Sequence, residues 1–138
     1  ACFASPFIPL HPAIYAEMFG KKIKENDVKV WMINTGWSGG PYGIGNRIKL
    51  SHTRAMITAA LEGKLDDVAY EAHPVFGMMM PKSCQGVPPE ILNPKNTWTH
   101  KTSYDEKAKK LAAKFVENFK KFKDHASDEI LAAAPVIR

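Results

Sequence analysis

Apolar positions 14, 15, 18, 19 and 23 fall on one broad helical face of HPAIYAEMFGKKIKEND at 11–27. Pro12 suits the first helical position, where its missing N–H would have no partner anyway. Gly20 weakens the pattern, while Lys21, Lys22 and Lys24 favour the negative C-terminal end of such a helix. The period then changes. VKVWMIN at 28–34 is rich in β-branched and aromatic residues and apolar on both alternating faces except at Lys29. That pattern predicts an interior strand, although so short a run is also compatible with a buried helical turn.

A glycine-rich stretch follows, then RIKL at 47–50 as a short strand. Ser51 is the expected N-cap of the helix HTRAMITAALE, and Gly63 its residue just past the C-cap. VFGMMMP at 75–81 reads as a strand ended by Pro81. Pro88, Pro89 and Pro94 make 81–96 a long irregular crossing. Ser103 and Glu106 have capping-box spacing, in which a hydroxyl and a carboxylate each meet a free helix-end N–H. Tyr104, Ala108, Leu111, Ala112, Phe115, Val116, Phe119 and Phe122 then form one apolar stripe, expected to dock on a core. A short helix is expected from Ser127. The expected fold class is α/β, a mixed sheet with flanking helices. Neither an internal repeat nor a low-complexity tract is present.

At 138 residues the chain has the size of one domain, 1–138, with no internal boundary, and 45% apolar content is ordinary for a globular protein. The net charge of +5 is modest, and the lysines at 107–123 fit a solvated helical face. The aromatic residues keep core spacing and do not interleave with the basic ones, which counts against a nucleic-acid partner. Cys2 and Cys84 form no Cys-x-x-Cys pair, so two free thiols in a reducing compartment are expected. His11, His52, His73, His100 and His125 are too far apart along the chain for a local zinc site. No apolar run approaches the ~20 residues that cross a bilayer. The first residues, ACFASPFIPLHP, lack a basic leader and an initiator Met. They read as the interior of a longer sequence and not as a signal peptide.

Five of the nine glycines fall in NTGWSGGPYGIG at 34–45. Strand, glycine-rich turn and helix N-terminus together can receive an anion or nucleotide, because bare backbone and free N–H groups approach it. Two familiar versions fail here. Gly40 and Gly45 have P-loop spacing, but Asn46-Arg47 follows instead of Lys and Ser or Thr. Gly43 and Gly45 open a dinucleotide pattern, but Ile48 stands where its third glycine belongs. A tight connection with residues at positive φ explains the glycines equally well. Arg47 favours a ligand, since a guanidinium stacks on a base or forks to a phosphate. Thr53 has a hydroxyl beside the free N–H groups of a first helical turn. A surface charge and a second capping residue are their plainer roles. Ser51 and His52 make no dyad, because adjacent side chains point apart.

With these residues in place, the sequence resembles ATP-dependent phosphoenolpyruvate carboxykinase. The likeness is carried by ACFASPF at 1–7, LHPAIYAEM at 10–18, NTGWSGGPYG at 34–43, RIKLSHTRAMITAALEG at 47–63 and ILNPKNTW at 91–98. KAKKLAAKFVENFKKF at 107–122 fits the family's final helix. The resemblance implies a two-domain α/β enzyme of which this chain is the C-terminal part, within the nucleotide-binding domain. It implies decarboxylation of oxaloacetate and phosphorylation of the enolate by ATP, giving phosphoenolpyruvate, carbon dioxide and ADP, in gluconeogenesis and in the cytoplasm. Magnesium and manganese would assist. Arg47 and Ile48 would line the adenosine end of ATP, and Thr53 would contact the nucleotide. The phosphate cradle, metal ligands and substrate arginines of the family would lie upstream, so no catalytic or metal-binding residue is expected here. PYGIG makes the glycine loop longer than in some relatives. Two rival readings are a stand-alone, non-catalytic nucleotide-binding or interaction module and, on the basic balance, a nucleic-acid binder. Neither a nucleic acid nor a membrane is among the expected partners.

Overall fold

The computed structural model describes residues 5–137. After a 3-10 turn at Ser5–Phe7, helix α1 runs from Pro12 to Asn26 and is entered as the sequence predicts, with Pro12 at its first position. His11 caps it, its Nδ1 accepting from the Ala13 N–H at 3.3 Å. Asp27 ends it at φ 48, a left-handed conformation that Asp tolerates better than most side chains. Residues 28–34, expected to form an interior strand, belong to no strand among the described residues. Pairing in a sheet needs a neighbouring strand, and none of the described strands pairs with them.

Among the described residues, two small antiparallel ladders are present instead of one mixed sheet. The first pairs β1, Trp37–Ser38, with β2, Asn46–Arg47, across the glycine loop. The expected strand at 47–50 is thus only its first residue. The second pairs β3, Tyr70–Ala72, with β4, Met79–Pro81. Residues 75 and 76, expected as the start of that strand, lie with Pro74 in its turn. Gly77 sits there at φ 69, and its N–H meets the His73 carbonyl at 2.8 Å.

Helix α2, Leu50–Leu61, is capped at its N-terminus by Lys49 with no side-chain bond, so Ser51 lies inside it and is not the cap. Its C-terminus follows the sequence. Gly63 has φ 69, Lys64 N–H reaches the Ala59 carbonyl at 2.9 Å and Gly63 N–H the Ala60 carbonyl at 3.4 Å. Those two bonds make the Schellman motif that glycine permits. The proline-rich crossing is more ordered than expected, with α3 at Pro89–Leu92 and a 3-10 turn at Pro94–Thr97.

Helix α4 spans Lys101–Phe119 and begins after His100, without a side-chain cap. Ser103 is therefore in the helix body and the expected capping box is not formed. A last short helix, α5 at Asp128–Ala132, starts at Ser127, whose Oγ accepts from the Ile130 N–H. The core gathers Ala59, Leu65, Cys84 and Val87, with Trp31, Met56, Val68, Ile91 and Leu92 packed around it.

Candidate functional site

The glycine loop closes on itself. Ile44 and Gly45 both donate to the Pro41 carbonyl, at 3.0 and 2.9 Å. A Cβ on Gly45 would stand 2.5 Å from the carbonyl oxygens of Ser38 and Gly40. At Gly39, φ is +81 and a Cβ would meet the Thr97 carbonyl at 2.8 Å. The loop is also fastened to the 94–97 turn. Thr97 Oγ1 donates its hydrogen to the Pro94 carbonyl at 2.7 Å, so Ser38 Oγ must be the donor in the 2.8 Å bond between the two hydroxyls. Asn34 braces the approach, accepting from Gly36 N–H at 2.9 Å and donating to the Trp37 carbonyl at 3.1 Å. Gly39 and Gly45 are therefore used in packing backbone against backbone.

This closure positions the three residues singled out in the sequence. Arg47 lies opposite Trp37 in the ladder, with its side chain exposed and in no ion pair among the described residues. Ile48 follows, held by its N–H on the Gly36 carbonyl at 2.9 Å, and its side chain turns the other way. Thr53 is in the first turn of α2 and only 7% exposed. Arg47 thus faces solvent, Ile48 lines a trough and Thr53 is buried. His52, expected at the surface, is half-buried and its Nδ1 lies 3.2 Å from the Gly86 carbonyl. A carbonyl only accepts, so Nδ1 carries the hydrogen.

The trough that Ile48 enters has a volume of about 900 Å³ and is walled mainly by apolar groups, among them Trp31, Ile33, Met56, Leu65 and Met80. Lys29 and Asp66 bridge its rim at 2.6 Å, and the Asp66 carboxylate holds the Lys29 ammonium above its ordinary pKa. Tyr70 donates to the Leu65 carbonyl at 2.6 Å, and burial pushes its phenol up. Burial likewise raises the Cys84 thiol, which is free. Cys2 lies outside the described residues.

Sequence reasoning missed a polar knot beside the β3–β4 turn. His73 is only 5% exposed. Its Nδ1 accepts from the N–H groups of Val75 and Phe76, both at 3.2 Å. Its Nε2 must then carry the hydrogen and donate to Tyr104 Oη at 2.6 Å. Burial lowers the His73 pKa, partly opposed by Asp105. Nearby, Asn93 donates to Glu71 and Lys95 pairs with Asp105, both at 2.7 Å. Histidine spacing along the chain cannot reveal contacts made across it. Among the described residues, no three His, Cys, Asp or Glu side chains converge to hold a metal. No helix there is long and apolar enough to cross a membrane.

Comparison with known proteins adds the decisive likeness. A family model described as phosphoenolpyruvate carboxykinase matches residues 1–90. A phosphoenolpyruvate carboxykinase (ATP) from Flavobacterium johnsoniae is 62% identical over 136 residues, 99% of this chain and 26% of the relative. One from Christiangramia forsetii is 59% identical over 136 residues, with the same shares. A third, from Caldanaerobacter subterraneus subsp. tengcongensis, is 56% identical over 134 residues, 97% of this chain and 26% of the relative. The chain spans about a quarter of the length of these curated relatives.

Proposed function

This chain belongs to the phosphoenolpyruvate carboxykinase family, and on that premise we propose that it supplies the adenosine wall of an ATP site. The whole protein would convert oxaloacetate and ATP to phosphoenolpyruvate, ADP and carbon dioxide, in the cytoplasm and in the service of gluconeogenesis. Residues 1–138 would form one undivided part of its nucleotide-binding domain. The observation that carries this reading is the placement of Arg47. A flat cation in no ion pair among the described residues is presented on a loop that closes on itself, next to the aliphatic Ile48.

The residues present fit the adenosine end of a nucleotide better than its phosphates. A guanidinium can stack on a purine, and an aliphatic side chain can cover the ring's other contacts. A phosphate cradle needs open backbone. The space beside Gly45 is already filled by the carbonyls of Ser38 and Gly40. Thr53 would contribute once its buried hydroxyl is uncovered on the nucleotide side. The phosphate cradle, the magnesium and manganese ligands and the oxaloacetate site are assigned to the remaining three quarters of a carboxykinase-length protein. When bound, the metals would neutralise charge on the phosphates during transfer.

The test is made in a carboxykinase-length protein that carries this chain. Arg47→Ala should weaken ADP binding by a few-fold to about thirtyfold, from a contact worth about 0.5–2 kcal/mol. Arg47→Lys should restore little, because it keeps the charge and loses the plane. Thr53→Val should cost about 1 kcal/mol in the same assay. The oxaloacetate KM should move less than the ADP Kd. An unchanged ADP Kd with a raised oxaloacetate KM would remove Arg47 from the adenosine site.

A further inference from the structure

The outer face of the glycine loop is aromatic. In the β1–β2 ladder Trp37 stands directly opposite Arg47, and Ser38 opposite Asn46. Opposed residues of an antiparallel pair send their side chains to the same face, with Cβ atoms about 4.5–5.5 Å apart. Ser38 turns inward to Thr97 and lines the trough with Ile48. Trp37 and Arg47 therefore share the opposite, outward face. Tyr42, at the tip of the loop, folds back onto that face. Its ring meets Trp37 in a T-shaped pair, with centroids 5.1 Å apart and planes at 76°.

Packing accounts for little of this arrangement. Tyr42 is 84% exposed and Trp37 42%. A loop tip that only has to turn would carry a small polar residue in place of a bare ring. The loop is also stiff. Pro41 has a fixed φ, and its carbonyl takes the N–H groups of both Ile44 and Gly45. Ile44 packs so closely on Gly40 that a Cβ there would meet its Cγ2 at 3.0 Å. An aromatic ring on a stiff support loses little freedom when it takes a ligand. The charge along this part of the chain has one sign. From residue 34 to residue 61 there is no Asp or Glu, while Arg47, Lys49 and Arg54 lie within that span. An exposed ring beside an exposed cation fits a ligand that is both flat and anionic, as a nucleotide is.

We propose that Tyr42 is a base-contacting residue of the nucleotide site, its ring packing on the purine that Arg47 meets from the ladder, and that Trp37 is the positioning residue that holds this ring in place. The proposal rests on the adenosine role given to Arg47 and adds the PYGIG loop to it. A ring contact reads the extent of the base's π-face and not its hydrogen-bonding edge. Tyr42 thus favours purine over pyrimidine nucleotides.

The experiment is made in the carboxykinase-length protein that carries this chain, with Kd values for ADP, CDP and inorganic pyrophosphate. Tyr42→Ala should raise the ADP Kd about five- to fiftyfold, raise the CDP Kd less, and leave the pyrophosphate Kd unchanged. Tyr42→Phe keeps the ring and should stay within about twofold of the parent for ADP. Trp37→Leu should weaken ADP binding when Tyr42 is present and add little to Tyr42→Ala, a coupling that a loss of stability alone would not give. Urea midpoints of Tyr42→Ala should match the parent, because the side chain is so exposed. An unchanged ADP Kd in Tyr42→Ala would overturn the proposal. If Arg47→Ala weakens ADP binding in the same series, the adenosine role of Arg47 stands without it. Equal losses for ADP, CDP and pyrophosphate would overturn it as well, since the loop would then act on the phosphates or on folding. A selective loss of ADP in Tyr42→Ala with none in Arg47→Ala would keep Tyr42 at the base and remove Arg47 from it.

Discussion

At the level of single residues, the glycines separate into those needed for space and those needed for conformation. Gly45 is needed for space alone, because its φ is ordinary while a Cβ would press on two carbonyl oxygens at 2.5 Å. Gly43 is needed for conformation alone, with φ +87 and nothing within 4 Å. Gly20, inside α1, is needed for neither. In denaturant titrations Gly45→Ala should therefore cost about 1–3 kcal/mol or more from overpacking. Gly43→Ala should cost about 1–2 kcal/mol from strain, and Gly20→Ala should stabilise by about 0.5–1 kcal/mol. His73 gives a pH prediction. Its folded pKa lies below 6.5 because it is buried with Nδ1 already accepting two N–H groups. The unfolded chain then binds the proton more readily. The contribution of His73 is complete above pH 6.5 and is lost as pH falls through the lower folded value. The slope should approach 1.4 kcal/mol per pH unit at most, for about one proton. Unfolding midpoints from pH 7.5 to 5, compared with His73→Gln, isolate it: wild type and variant should converge on acidification. Parallel curves would show that the knot does not titrate.

Among the elements, α4 shows what periodicity can and cannot say. The stripe from Tyr104 to Phe119 was legible, but its depth was not, and Phe122, expected on the same helix, lies beyond the end of α4. Ala108 and Ala112 are buried, at 6 and 0% exposure, whereas Leu111 and Phe115 are half open at 45 and 52%. Small residues sit where the helix comes closest to its neighbours, and the large ones flank that line. Phe115 meets Phe76 in a T-shaped pair, with ring centroids 6.2 Å apart. Phe115→Ala should thus cost about 1–2 kcal/mol, near the value of an aromatic pair with partial burial, and not the ~3–5 kcal/mol of a core Phe. Ala112→Leu should cost about 1–3 kcal/mol. A loss of about 3–5 kcal/mol for Phe115→Ala in urea titrations would reverse this assignment. The two ends of α2 contrast in the same way. Gly63 announces its C-terminus because few other residues accept φ 69. Ser51 misled at the N-terminus because the chain turns into the helix two residues earlier, at Lys49.

For the whole molecule, the chain carries one wall of a proposed site and leaves much apolar surface bare. With oxaloacetate, ATP and manganese, the 138-residue chain by itself should show no turnover above a protein-free control. Measurable turnover would mean that phosphate and metal groups are supplied from within it. The sequence alone determined whatever depends on neighbours a few residues away. Helix α1 with Pro12 at its start, the Ser127 cap and the Gly63 stop are of this kind, since each is settled by φ preferences and free N–H groups within a turn. The family was legible too, because NTGW to TRA is an ordered run of specific residues. Tertiary structure decided what depends on residues distant in sequence. It joined Ser38 to Thr97 and His73 to Tyr104, pairs 59 and 31 residues apart. It buried Thr53 and left Arg47 in solvent, though both stood in the sequence as candidates. It also left VKVWMIN without a partner strand among the described residues, because a strand's hydrogen bonds lie entirely outside itself, and composition can ask for a neighbour without providing one.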